Sequence, residues 1–384
     1  MFGVILALIC TEITLRVLAV LGKTGQLLPY EYSRETIERI AEGDTYIAFD
    51  QELGWSIRPG VRVEAADVVY QSNAAGIRSE REFERAAPPR TTRVVAVGES
   101  FTHCDDSNLD DCWTSRLETL WPRSEILNLG VPGYGTDQAY LRYRRDAQAF
   151  DHCAVVMGFM PDNVNRLVNR FRPFYQPNTG IMLPKPRFVL ENDQLKLVPH
   201  GVDSVETLLD PSRAEQLLGT MDHWYYPNMF APLPSDISFL MRLRRSVEYR
   251  RYTDQVEHAA AEERRLAWAY ETREESYQLA KYILIQFDRE VRAAGKTPVI
   301  VFLARKTDLV AERRSEDRIY QPLLDALRRE HVEVIDTVES LGKEARAVGA
   351  DRVMDKHYKG PGNRAVAEHL QKRLPDLVRP TCGG

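Results

Sequence analysis

"RVVAVGESFTHCDD", residues 93–106, is the stretch whose reading decides the fold. Val94, Val95 and Val97 form a β-branched run that stops at Gly98, the pattern of a parallel strand buried on both faces. Residues just past such a strand lie at the carboxyl edge of the sheet, where open α/β folds put their chemistry. In this chain those residues are Glu99, Ser100, His103 and the pair Asp105–Asp106.

The same shape recurs outward from this stretch. Apolar strand patterns at "SEILNLG", "CAVVMGF", "TPVIVFLA" and "VEVIDTV" alternate with helical patterns at "CWTSRLETLW", "TDQAYLRYRRDAQAF", "IYQPLLDALRRE" and "GPGNRAVAEHLQKRL". Five strands alternating with helices predict a parallel sheet covered on both faces, a three-layer α/β/α domain over 91–384. More than a hundred residues, about 165–294, interrupt it between the third and fourth strands. Their first half is proline-rich and their second half helical, with Leu266, Tyr270, Tyr277, Leu284 and Phe287 at core-packing spacing. Residues 23–90 carry Pro/Gly punctuation and short alternating runs, which predict a short helix near "SRETIERIAEG" and small strands packed on the main domain.

The 384 residues carry a formal charge of −5, which leaves no basic footprint for nucleic acid. Arg242, Arg244, Arg245, Arg250 and Arg251 sit among acidic neighbours and read as a solvated or membrane-proximal helix face. The five cysteines, at 10, 104, 112, 153 and 382, have neither CxxC nor His/Cys spacing for zinc, so no metal site is expected. Cys104 and Cys112 flank one loop and can pair in an oxidising space. In "MFGVILALICTEITLRVLAVLG", residues 1–22, sixteen of twenty-two residues are apolar. As a helix this segment is about 33 Å long, against about 30 Å of bilayer core. It is expected to be an uncleaved membrane anchor, with a buried core helix as the alternative. Glu12 and Arg16, spaced to pair at i, i+4, lower the cost of charge near its middle.

Four segments can carry chemistry. Ser100, on the turn after the first strand, is a nucleophile candidate, although Gly-x-Ser alone is common and Thr102 breaks the G-x-S-x-G elbow. Asp355 and His357 in "MDKHYKGPGNR" precede a helix with Pro361 in its first turn. Their spacing lets the carboxylate hold Nδ1–H and leaves Nε2 free to take a proton from serine. Gly130, Gly133 and Gly135 in "NLGVPGYGTDQ" can present amides to an anion. A dinucleotide site is the rival, but G-x-x-G-x-G is not its fingerprint, and no cofactor is expected. In "GFMPDNVNR", after the third strand, Asn163 is a side-chain donor.

In order, these four blocks resemble the SGNH (GDSL-like) hydrolases, most closely bacterial membrane-anchored members with "GYGTDQ" after the second strand. The resemblance implies a flavodoxin-like three-layer fold with Ser100 as nucleophile and Asp355 and His357 completing a triad. It further implies an oxyanion hole of the Ser100 and Gly133 amides and the Asn163 side chain. Glu99 stands where most relatives have aspartate. An ungapped match puts Asp162 in the oxyanion position, but a carboxylate there would repel the developing charge, so the neutral Asn163 is taken. Arg166, Arg170 and Arg172 can clamp an acidic group at the site mouth or bind acidic neighbours in the insertion. His103 is read as a loop residue, because a base must approach Ser100 from across the cleft. The expected function is a serine esterase or O-acyltransferase acting on acylated carbohydrate or cell-surface polysaccharide from a membrane-anchored, periplasmic or extracytoplasmic position. The alternative is a membrane-tethered carbohydrate-binding or assembly protein whose chemistry has lapsed.

Overall fold

The computed structural model describes residues 2–21, 34–65, 67–176, 179–219, 222–225, 238–257 and 259–378. Cys382 lies outside them. Two antiparallel hairpins come first, β1 (Ile47–Asp50) with β2 (Gly54–Ile57), and β3 (Arg62–Ala65) with β4 (Val68–Gln71). The central sheet consists of β5 (Thr92–Val97), β6 (Ser124–Asn128), β7 (Ala154–Phe159), β10 (Thr297–Phe302) and β11 (Val334–Asp336), all parallel, in the order β11-β10-β7-β5-β6. A third hairpin, β8 (Arg187–Glu191) with β9 (Gln194–Val198), belongs to the insertion.

Alternation along each strand builds two cores. Val95 and Val97 of β5, Met157 and Phe159 of β7, and Ile300 and Phe302 of β10 face one side, where they meet Tyr140, Tyr143, Leu284, Phe287, Leu323 and Leu327 of helices. Val94, Ala96, Val156, Val299 and Val301 face the other, against Trp113, Leu117, Leu341, Val366 and Leu370. Each fully buried Val, Leu or Phe contributes on the order of 1.5–3 kcal/mol, so both layers are firmly held to the sheet.

The five expected strands are all present and parallel. Their order places the first and third, β5 and β7, side by side in the middle: Val94 pairs with Ala154 and Val97 with Met157. The chain leaves β5 toward one sheet edge, through β6, and leaves β7 toward the other. Connections therefore diverge between β5 and β7, the point where open α/β sheets place their sites outside the carboxyl ends of the strands.

The insertion is not wholly separate from the sheet. Helix Glu275–Ala293 lies over β10 and supplies Leu284 and Phe287 to its core, so it also serves as the crossover from β7 to β10. The apolar stripe is buried as expected, but not on one continuous helix. Helix Ala259–Ala269 ends before the turn at 270–274, where Ser276 Oγ donates to Ala269 O at 2.9 Å.

Residues Phe2–Val20 form a helix, but among the described residues no helix is long and apolar enough to cross a membrane. Arg16 Nε does meet Glu12 Oε1 at 2.9 Å, yet Glu12 has a second task. Its carboxylate accepts from the Phe239 and Leu240 amides, each at 3.0 Å, and from Ser238 Oγ at 2.9 Å. It thereby satisfies orphan amides at the start of helix Phe239–Glu257. A carboxylate bound to a neighbouring helix ties this segment to the protein. Phe2, Val4, Ile5, Leu6, Leu8, Ile9, Ile13, Val17 and Val20 remain exposed.

Candidate active site

Ser100 opens a single helical turn, Ser100–His103, immediately beyond β5. The turn packs so closely on the sheet that a Cβ at Gly98 or Gly158 would come within 2.1 or 2.0 Å of Thr102 Oγ1. Only glycine fits at these two places, which fixes Ser100 over the carboxyl ends of β5 and β7. Its hydroxyl donates to Glu99 Oε2 at 3.0 Å, and the same oxygen accepts from the Phe101 amide at 2.9 Å. Glu99 is buried, and burial pushes its carboxyl pKa up against the opposing charge of Arg166, the Phe101 amide bond and His357. Glu99 thus caps the turn and holds the serine hydroxyl.

His357 arrives from the far end of the chain on a tight turn closed by the Met354–Tyr358 bridge. Its ring meets the edge of Phe101 at 5.1 Å between centroids, which sets it beside the Ser100–His103 turn. Burial disfavours its charged form. The hydrogen bond to Asp106 and the charges of Asp105, Asp106 and Glu99 nevertheless raise its pKa above the ordinary imidazole value. The Ser100 hydroxyl is bonded to Glu99 and not to His357.

Asp355 does not take the place expected for it. His357 Nδ1 meets Asp106 Oδ2 at 2.7 Å, whereas the Asp355 side chain is exposed and makes no hydrogen bond to the ring. The turn explains the difference. The Asp355 amide donates to His357 O at 3.0 Å, closing the backbone on itself and leaving the Asp355 carboxylate in solvent while Tyr358 enters the core. Sequence reasoning missed Asp106, although it stands close to Ser100 in the chain, because only the fold carries residue 357 to it.

Asn163 lies just beyond β7, in the turn Pro161–Arg166. It is fully buried, and neither Oδ1 nor Nδ2 has a partner, an unusual state for a buried amide. Its neighbour Asp162 is drawn outward, 3.3 Å from Arg305 Nη1. The choice between Asp162 and Asn163 thus has a physical counterpart: the carboxylate is paired and the neutral amide is left over. Gly133 has φ +78°, and its carbonyl accepts from Arg172 Nη1 at 2.8 Å. Its amide meets no acceptor among the described residues.

The three arginines separate. Arg166 donates to Tyr134 O at 2.6 Å, and its charge acts on Glu99, so it borders the site. Arg172 is buried on Gly133 O, Thr179 and Gln176 and fixes the glycine loop. Arg170 follows the second of its two expected readings: it donates to Leu217 O at 2.9 Å and lies 3.9 Å from Asp222, an acidic neighbour in the insertion. His103 is fully buried, between Tyr46 Oη at Nε2 (3.0 Å) and Asp105 at Nδ1, and both ring nitrogens are occupied. Cys104 and Cys112 form a disulfide.

Beyond the strand ends stand a hydroxyl, an imidazole held at Nδ1, and the unpartnered side-chain amide of Asn163. No family model and no curated relative matches the chain. Among solved structures it is similar to a member of the lipolytic protein G-D-S-L family from Veillonella parvula. The identity is 11%, covering 75% of this chain and 100% of that one, with a TM-score of 0.37. It is also similar to an acetylxylan esterase from Geobacillus stearothermophilus, at 10% identity, 76% and 99% coverage and a TM-score of 0.38. An α/β hydrolase enzyme from the metagenome of Lake Arreo stands at 11%, 77% and 98%, and 0.39. Likenesses this remote carry neither the fold nor the chemistry of this chain, which rest on its own residues.

Proposed function

We propose that the protein is a serine esterase or O-acyltransferase that forms an acyl-enzyme on Ser100. Ser100 Oγ attacks the ester carbonyl carbon as its proton passes to His357 Nε2. The tetrahedral oxyanion is received by the Ser100 and Gly133 amides and by Asn163 Nδ2. The bond to the alcohol oxygen then breaks, and that oxygen takes the proton back from His357. Water, or the hydroxyl of a sugar, attacks the acyl group in the reverse sequence. Turning Ser100 Oγ away from Glu99 is a single χ1 rotation.

One observation carries this reading: a fully buried asparagine amide without a partner just beyond β7, the strand paired with the one that leads into Ser100. An amide desolvated in this way is costly, and a developing oxyanion is the acceptor its geometry awaits. Ester-linked acyl groups on carbohydrate are the proposed substrates. Attachment to a membrane through the exposed apolar side chains of Phe2–Val20, with the site on the extracytoplasmic side, belongs to the same proposal.

A fluorophosphonate probe tests it. Ser100 is expected to be labelled, Ser100→Ala to be inert, and Asn163→Ala to lose roughly a few hundredfold in turnover of an aryl acetate with its fold intact. A wild-type protein that is neither labelled nor active would remove the proposal. If Asp162→Asn raises activity while Asn163→Ala does nothing, the donor is misassigned. The rival, a binding protein whose chemistry has lapsed, has one observation in its favour, the Ser100 hydroxyl bonded to Glu99. An unlabelled protein that retains glycans would establish it.

A further inference from the structure

We infer that Asp106, carried on the disulfide-closed loop after the nucleophile, is the positioning residue that fixes the tautomer and direction of His357. The inference rests on the reading of Ser100 and His357 as nucleophile and base. With Nδ1–H donated to Asp106 Oδ2 at 2.7 Å, the lone pair of Nε2 is the one left to accept a proton.

The loop is built to hold that carboxylate. Cys104 and Cys112 close it, and Cys104 and Asp106 both adopt left-handed backbone, φ +65° and +61°, which bends the chain sharply beyond Ser100. Tyr70 Oη accepts from the Asp106 amide at 3.0 Å. Arg78, buried, donates to the carbonyls of His103, Cys104 and Ser107. The next residue, Ser107, donates from Oγ to Tyr358 O at 3.0 Å, and Asn363 Nδ2 donates to Ser107 Oγ at 3.1 Å. Two consecutive loop residues therefore grip two consecutive residues of the histidine turn: Asp106 on His357, Ser107 on Tyr358. This double contact sets register as well as charge. Asp355 has no comparable support.

Lys356, next to His357 in the chain, acts on Asp106, and the acidic groups acting on His357 itself are Asp105 and Asp106 from this loop and Glu99 from the turn before it. All three favour the imidazolium, so losing the Asp106 acceptor lowers the His357 pKa and moves the acid limb of the pH–rate profile to lower pH. The Asp106 side chain is 60% exposed, and the loss in rate is set accordingly at the low end for a proton-transfer device, about a hundredfold.

The test compares Asp106→Asn, Asp106→Glu and Asp355→Asn in the full chain, by aryl acetate kinetics across pH and by ¹⁵N NMR titration of His357. The expected result is an approximately hundredfold fall in kcat/KM for Asp106→Asn, with a lowered His357 pKa and loss of the Nδ1–H tautomer. Partial recovery by Asp106→Glu is expected, with less than about a threefold change for Asp355→Asn. The inference is overturned if Asp355→Asn shifts the titration and Asp106→Asn does not. The NMR readout needs no turnover, so an inactive wild type would defeat the esterase reading while the titration still judged Asp106. Should Asp106→Asn fail to fold, Asp355→Asn decides alone: an unmoved titration upholds the inference and a shifted one ends it.

Discussion

At the scale of single residues, two histidines near Ser100 have opposite fates, and burial and partners decide which can act as a base. His103, three positions from the serine, is sealed beneath Tyr46 and Tyr70. Burial, then the charge of Arg78, lowers its pKa to about 4 despite Asp105. His357 keeps an open side. Linkage sets the sign for His103. Below about 6.5 the unfolded chain takes up a proton that the folded ring refuses until about 4, so its contribution to stability is lost as pH falls through that window. The stability gap between wild type and His103→Gln is expected to shrink by roughly 3 kcal/mol between pH 7 and pH 4. Urea unfolding at the two pH values measures it, and a gap independent of pH would show that the ring is protonated in place.

At the scale of elements, the "GYGTDQ" block serves mainly as a joint. Tyr134 Oη donates to Trp55 O at 2.6 Å, Gln138 Nε2 donates to Leu53 O at 2.8 Å, and Gln138 Oε1 accepts from the Gly135 amide. Asp137 pairs with Lys185 of the insertion, both fully buried. One loop thereby ties the first hairpin and the insertion to the edge of the sheet that carries the site. Sequence reading placed the block at the right strand end and credited its glycines. The partners were invisible, because Leu53, Trp55 and Lys185 carry no signal until the chain is folded. Lys185→Met leaves the Asp137 carboxylate buried and unpaired, and is expected to cost about 3–5 kcal/mol, read as a lowered urea midpoint. The double variant Lys185→Met/Asp137→Leu is expected to recover much of that loss. Equal destabilisation of single and double variants would show that packing, and not the charge, is at stake.

At the scale of the whole molecule, helix Phe2–Val20 stands beside helix Phe239–Glu257 with its apolar side chains largely exposed. Ile5 is 49% and Ile9 50% accessible. Exposed Arg250 and Arg251 come later on the neighbouring helix, and exposed apolar and basic side chains are what an anionic bilayer attracts. The proposed attachment predicts that the protein sediments with phosphatidylcholine–phosphatidylglycerol vesicles and that Ile5→Asp/Ile9→Asp remains in the supernatant, with Ser100 labelling unchanged. Wild type that stays in solution would remove the membrane from the proposal.

The sequence by itself determined the five parallel strands, the helices between them, and the places of Ser100, Gly133 and Asn163 in the segments that follow the first three strands. Period and punctuation are local properties, and a buried strand announces where its successor residues must lie. Strand order, the partner of His357, the choice between the two readings of Arg170 and the task of Glu12 were decided only by tertiary structure. Each depends on which distant segment reaches a given side chain: Asp106 at His357, Asp222 near Arg170, the Phe239 and Leu240 amides at Glu12. Spacing along the chain limits what residues can meet, but the folded surface settles which of them do.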